Sequence, residues 1–238
     1  MHRGAFFIGR RGHRDPRTIT PRPATDAMNA TEPRILLTGF EPFGGDSANP
    51  SWEIARALDG WGCEGHRVHA ALLPCVFGDA LRRLDEALAA HRPALVVCLG
   101  LAGGRTEISV ERVAINVDDA RIPDNSGRQP VDTAVEPGGP AAYFSTLPIK
   151  AIARDVRAAG IAAGVSNTAG TFVCNHVFYA LMHRLATRPG LAHARGGFVH
   201  VPDTPAMPLA DQVAGIRQAL RTAVLTRHDL RETAGREH

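Results

Sequence analysis

Long hydrophobic runs are missing from this 238-residue chain. No apolar stretch approaches the ~20 residues that a membrane-spanning helix needs. That excludes a membrane role built on helical spans, and "GAFFIG" (4–9) is too short and too closely flanked by Arg to read as a signal peptide. Cysteine is scarce. Cys63, Cys75, Cys98 and Cys174 form no C-x-x-C pair and no zinc-type grouping with histidine. Few, irregularly spaced thiols in a chain this long suit reduced cysteines and a cytoplasmic setting. Phosphate loops are absent too. "TGFEPFGG" (38–45) and "GLAGGR" (100–105) each follow an apolar run, but neither is G-x-G-x-x-G and neither ends in Gly-Lys-Ser/Thr. No metal and no cofactor are expected.

A basic domain face is lacking as well, although the formal charge is +3. Of 27 basic and 24 acidic residues, six Arg and two Asp lie in residues 1–27, which leaves 21 against 22 beyond them. Nucleic-acid binding needs a basic face on the folded part, so that partner is not expected. Residues 1–30 are rich in Arg and Pro with little hydrophobic periodicity. They read as a disordered extension ahead of an alternative first residue, Met28.

What is present is an alternation of short apolar runs and amphipathic stretches. "RILLTGF" (34–40), "HRVHAALLP" (66–74), "ALVVCLG" (94–100), "ISVERVAINV" (108–117), 161–166 and "GGFVHVP" (196–202) read as strands. Helices are predicted over 49–58, with Asn49 as cap and Pro50 in the first turn, and over 76–91, 149–159, from near Cys174, and 207–226. Residues 118–148 read as one long loop, a length that is uncommon unless functional. Strands alternating with helices imply one α/β domain over 31–238 with a mainly parallel sheet.

The stretch "TAGTFVCNHVFYALMH" (168–183) puts Cys174 where a turn gives way to a helix. A helix N-terminus offers free N–H groups and the positive end of its dipole. Both favour a thiolate and the oxyanion its attack would form. Position alone leaves a buried structural role for Cys174 equally open, and Cys75, just ahead of a helix, is the rival nucleophile. His176 stands two residues along the same helix and so points elsewhere. His200, at the carboxyl end of "GGFVH", is the better base, because sites in open α/β sheets gather at such ends. Glu111 is the candidate acid: in a strand over 108–117 it shares a face with Val113 and Ile115, and a buried carboxylate needs a partner. A salt bridge to an arginine such as Arg105 is the competing reading. Phe40 and Phe43, on the first turn, suit a small, flat, apolar ligand.

Five segments in order, "LLTGFEPFGGDSANPSWE", "GLAGGRTEISVERVAINVDDARIPDNSGRQPVD", "GGPAAYFSTLPIK", "NTAGTFVCNHVFYALMH" and "GGFVHVP", closely resemble the type I pyroglutamyl (pyrrolidone-carboxylate) peptidases from about residue 34 to about residue 226. The resemblance implies a single-domain α/β/α sandwich with a twisted sheet, and a cytosolic cysteine peptidase without cofactor, commonly a homotetramer. Its substrates would be peptides with an N-terminal pyroglutamate. It puts the nucleophile at Cys174, the histidine at His200 and the glutamate at Glu111. It assigns oxyanion assistance to Arg121 of "DDARIPDN", and pocket positions to Phe40, Phe43, Phe172 and Val173. Three residues depart from the family pattern: Leu101 stands where many members have Gln, Cys75 where many have Thr, and Val110 where Pro is frequent. A pocket-binding relative without activity, or a hydrolase or phosphorylase of another α/β type, is the alternative reading.

Overall fold

The computed structural model describes residues 1–2 and 32–235. The expected disorder of residues 1–30 lies outside the described residues, apart from Met1 and His2. The chain divides into two units, Met1–Thr31 and Glu32–His238, and the second carries every element below.

Seven strands form the main sheet: β1 (Arg34–Phe40), β2 (Gly62–Cys63), β3 (His66–Leu73), β4 (Leu95–Leu101), β5 (Ile108–Glu111), β8 (Ala163–Ser166) and β9 (Arg195–Val201). Their order is β2-β3-β1-β4-β9-β5-β8. Strands β3, β1, β4 and β9 run parallel, as expected, but β5 meets β9 antiparallel and carries β8 with it. Among the described residues five α-helices cover the sheet: α1 (Pro50–Ala57), α2 (Asp79–His91), α3 (Ile149–Ala158), α4 (Val173–Thr187) and α5 (Leu209–Leu225).

The apolar runs are continuous because both faces of the sheet are covered. Side chains alternate across a strand, so each run feeds two cores. Ile35 and Leu37 of β1, with Leu95, Val97 and Leu99 of β4, pack in one cluster with Ile54 of α1, Ile152 of α3 and Ile216 of α5. Leu36 and Phe40 of β1, Val96 and Cys98 of β4 and Phe198 of β9 face Leu84 of α2 and Val177 and Phe178 of α4 in the other. The result is the α/β/α sandwich.

Local sequence explains the entry to α1. Asn49 Oδ1 accepts from the Ser51 N–H at 3.1 Å, and Pro50 occupies the first turn. Ser51 Oγ in turn accepts from the Phe40 N–H at 3.0 Å, which fastens the end of β1 to the helix start. Gly39 is required there: a Cβ would stand 2.4 Å from the Ser51 carbonyl oxygen.

Two expectations need correction. The single strand over 108–117 breaks at Arg112. Val113–Ile115 (β6) leaves the main sheet and pairs antiparallel with Ala142–Phe144 (β7), a strand inside the expected loop. The side chain of Asn175 on α4 secures the departure by accepting from the Ile115 N–H and donating to the carbonyls of Ile115 and Val117. Glu111 therefore does not share a sheet face with Val113 and Ile115; it ends β5 fully buried, while Ile115 is exposed. Helix α2 also begins later than expected, at Asp79, because Gly78 ahead of it takes a left-handed φ of 78°.

Helix α3 opens at Pro148 without a cap of its own. The Asp229 carboxylate, beyond the end of α5, accepts instead from the N–H groups of Lys150 and Ala151 at 3.0–3.1 Å. Asp229→Ala is expected to cost about 1 kcal/mol, the usual value of an N-cap. In a domain of this size that lowers the melting temperature by roughly 2–4 °C, measurable by circular dichroism.

Candidate active site

The carboxyl ends of β1, β4 and β9 open onto a cavity of about 300 Å³. Its apolar wall comes from Phe40 and Phe43 of the first turn, Cys75 beyond β3, Leu101 at the end of β4, and Phe172 and Val173 at the start of α4. Phe43 and Phe172 lie with ring centres 6.2 Å apart, and Phe77 meets Phe172 edge-on at 5.4 Å. Cys174, His200, Arg105 and Asn49 supply the polar groups.

The reversal of β5 places the acid beside the base. His200 pairs with Ser109 across the β9–β5 ladder, and the period of two returns Glu111 to the face that Ser109 shares with His200. Glu111 Oε1 lies 2.8 Å from His200 Nδ1, with both side chains almost wholly buried. A carboxylate only accepts, so Nδ1 carries the proton of the neutral ring and donates it. Nε2 is left as the acceptor, and among the described residues it has no protein donor.

The sulfur reaches the same place through Gly100. That glycine pairs with His200 across β4 and β9. A Cβ on Gly100 would lie 2.8 Å from Cys174 Sγ and 2.7 Å from the Phe198 ring, so the bare backbone is the seat on which the thiol rests. Helix α4 opens without a side-chain cap, which leaves its first-turn N–H groups, including that of Cys174, available to an anion.

Opposing influences meet at the thiol. Burial pushes the Cys174 thiol far above its ordinary pKa, the Cys75 thiol and the Glu111 carboxylate push it further, and the Arg105 guanidinium pulls it back. Burial thus works against the thiolate that the helix terminus favours. The rival Cys75 is likewise pushed up, to about 12, by burial and by the carboxylates of Glu41 and Asp124.

A second buried acid–imidazole pair shows what sets the first apart. His176 Nδ1 lies 2.8 Å from Asp118 Oδ2, but its Nε2 accepts from the Gly78 N–H at 3.1 Å. Both ring nitrogens are occupied, and the pair ties the start of α2 and the loop after β6 to α4. His176 points away from the cavity chemistry, as its spacing from Cys174 predicts.

Cys174, His200, Phe40, Phe43, Phe172 and Val173 thus line one cavity, and Glu111 stands behind His200. Arg121 is not brought to them; it is exposed on the loop after β6, outside the lining residues, with its carbonyl accepting from Gln129 Nε2 at 3.2 Å. The cavity also gains residues to which sequence reasoning gave no place in it, Arg105 having been named only as a salt-bridge partner of Glu111. Arg105 and Ala102–Gly103 come from "GLAGGR", whose place just after a strand's carboxyl end was the available signal. The rival partner for Glu111 is present as well: Arg105 Nη1 lies 2.7 Å from Oε1, so the acid holds imidazole and guanidinium together. Leu101 and Cys75, the two cavity departures from the family pattern, both face the ligand space. Among the described residues, no group of three or more His, Cys, Asp or Glu could hold a metal ion.

Fold and site together define an α/β protein with a thiol, an imidazole and a buried carboxylate arranged around a small apolar cavity. A family model described as pyroglutamyl peptidase matches residues 33–226. The chain is 57% identical over 216 residues to the pyrrolidone-carboxylate peptidase of Cupriavidus taiwanensis, a match covering 87% of this chain and all of that one. With the Streptomyces coelicolor protein of the same name it shares 53% over 216 residues, 86% of this chain and 99% of that one. The crystal structure of Bacillus amyloliquefaciens pyroglutamyl peptidase I superposes with a TM-score of 0.80 at 44% identity, covering 84% of this chain and 100% of the other. The chain belongs to the pyroglutamyl peptidase family.

Gly100→Ala is expected to displace the thiol and the Phe198 ring together, because neither contact has room for a methyl group. Overpacking of this kind costs about 1–3 kcal/mol, to be read from the midpoint of urea unfolding.

Proposed function

We propose that this chain removes N-terminal pyroglutamyl residues from peptides by covalent acyl transfer to Cys174. One observation carries the reading: a histidine whose Nδ1 is held by a buried carboxylate keeps Nε2 free at a cavity that also exposes a cysteine. Family membership supports the substrate class.

In the proposed cycle His200 Nε2 takes the thiol proton as Cys174 Sγ attacks the carbonyl carbon of the pyroglutamyl residue. The first-turn N–H groups of α4 take the oxyanion. The imidazolium gives its proton to the leaving amine, and a thioester remains. Water then attacks the thioester, with Nε2 taking its proton. Collapse releases pyroglutamic acid, and the proton returns to Sγ. Glu111 offsets the imidazolium charge in both halves.

The cavity accounts for selectivity. Its 300 Å³ is at the small end of ligand pockets, which run from roughly 300 to 1,000 Å³. The uncharged lactam ring fits between Phe40, Phe43 and Phe172. An N-terminal Gln or Glu brings an ammonium instead, and burying it unpaired costs several kcal/mol.

The finer setting belongs to the same proposal. Four unpaired cysteines suit a reducing cytoplasm. A homotetramer would cover the exposed Ile115, Val131 and Phe144 on and near the β6–β7 ribbon.

The test is release of aminomethylcoumarin from its pyroglutamyl amide. The wild-type chain is expected to cleave it and to leave the glutaminyl amide intact. Cys174→Ser should lose at least about a thousandfold in kcat, as removal of a nucleophile does; a Ser variant with undiminished kcat rules out the assignment.

A further inference from the structure

We propose that Arg105 is a positioning residue of this site, holding the Glu111 carboxylate against His200 and keeping a fixed positive charge in the cavity wall. The inference rests on the functional reading above and deepens it.

Three bonds carry it. Arg105 Nη1 and His200 Nδ1 reach the same oxygen, Glu111 Oε1, at 2.7 and 2.8 Å, while Oε2, equally buried, has no partner. A fully buried carboxylate held by one neutral imidazole alone would carry nearly all of its desolvation cost unmatched. The guanidinium supplies the matching charge and selects the oxygen that faces His200. Arg105 Nη2 also donates to the Thr168 carbonyl at 3.1 Å, on the segment that leads into α4. One planar fork thereby joins the end of β5 to the approach of the nucleophile's helix, which a lysine's single nitrogen does not reproduce.

Charge is the second part of the role. The groups acting on the Cys174 sulfur are the thiols of Cys75 and Cys98, the Glu111 carboxylate and Arg105, with His200 on the neighbouring strand. Arg105 is the permanent cation of that set. Loss of the Cys174 proton leaves a negative charge on the sulfur, and a fixed cation favours that loss. Without Arg105 the acid limb of every reaction that needs the deprotonated sulfur moves to higher pH.

The experiment measures kcat/KM on the pyroglutamyl amide and the rate of Cys174 alkylation by iodoacetamide, each against pH, for wild type, Arg105→Gln and Arg105→Lys. In Arg105→Gln both acid limbs should rise by about one pH unit, the lower end for a charge removed at this range, or about tenfold in rate at a fixed pH below the limb. Arg105→Lys should return both limbs to the wild-type position yet keep a lowered kcat, because it restores charge without the fork. Gln-variant limbs that overlay wild type, with an unchanged melting curve, overturn the proposal. So does a Lys variant whose limbs move as far as those of Gln. If the Gln variant does not fold, the Lys variant decides: wild-type limbs with reduced kcat support the role, and wild-type values of both overturn it. Failure of the functional reading is seen separately, as a wild-type chain that is silent on the amide. The alkylation limbs need no substrate and still report on Arg105.

Discussion

A carboxylate with no exposed surface has to be matched in charge and in hydrogen bonds, and Glu111 is matched by two groups on one oxygen. Much of the site follows from that requirement. The bond to His200 fixes the ring's tautomer and turns Nε2 toward the cavity. The bond to Arg105 draws the loop after β4 across the same opening. Burial also bears on the sulfur: the low-polarity surroundings that make Glu111 hold its partners tightly disfavour a thiolate at Cys174.

The contrast between two acid–imidazole pairs shows how little chemistry depends on composition. Asp118–His176 and Glu111–His200 have the same groups, the same 2.8 Å contact and similar burial. In the first, a backbone N–H occupies the remaining nitrogen, and the pair works as a clasp between α2, α4 and the loop after β6. In the second that nitrogen is left to the cavity. The pairs differ in two bonds, the Gly78 N–H on His176 and the Arg105 guanidinium on Glu111.

The sheet does the positioning. Parallel β4 and β9 bring Gly100 level with His200, and the missing side chain at Gly100 lets the α4 thiol settle on the backbone there. The reversed β5 then delivers Glu111 from the other side of β9. Three segments far apart in the chain meet because neighbouring strands share a register, and alternation within each strand turns the reacting groups toward the α2–α4 layer.

Much of this was legible in the residues. Continuous apolar runs marked β1, β4 and β9 because both sheet faces are covered, and Asn49–Pro50 marked the start of α1 because capping is local. Cys174 was legible from the turn ahead of its helix, and His200 from its place at a strand end. The antiparallel entry of β5, the break at Arg112 and the sharing of Glu111 between His200 and Arg105 were not. Each depends on a partner distant in sequence: β9 for the direction of β5, Asn175 for the departure of β6, His200 for the oxygen it shares with Arg105. Nor could local rules weigh a helix terminus against burial at Cys174, since the terminus is written in the adjacent residues while burial is set by everything packed around them. By itself the sequence determined most of the strands and helices and which side chains are candidates for chemistry, because propensity, capping and alternation act over a few residues. The tertiary structure alone decided which oxygen and nitrogen meet and how far the sulfur is buried, because those are settled by neighbours that only folding brings together.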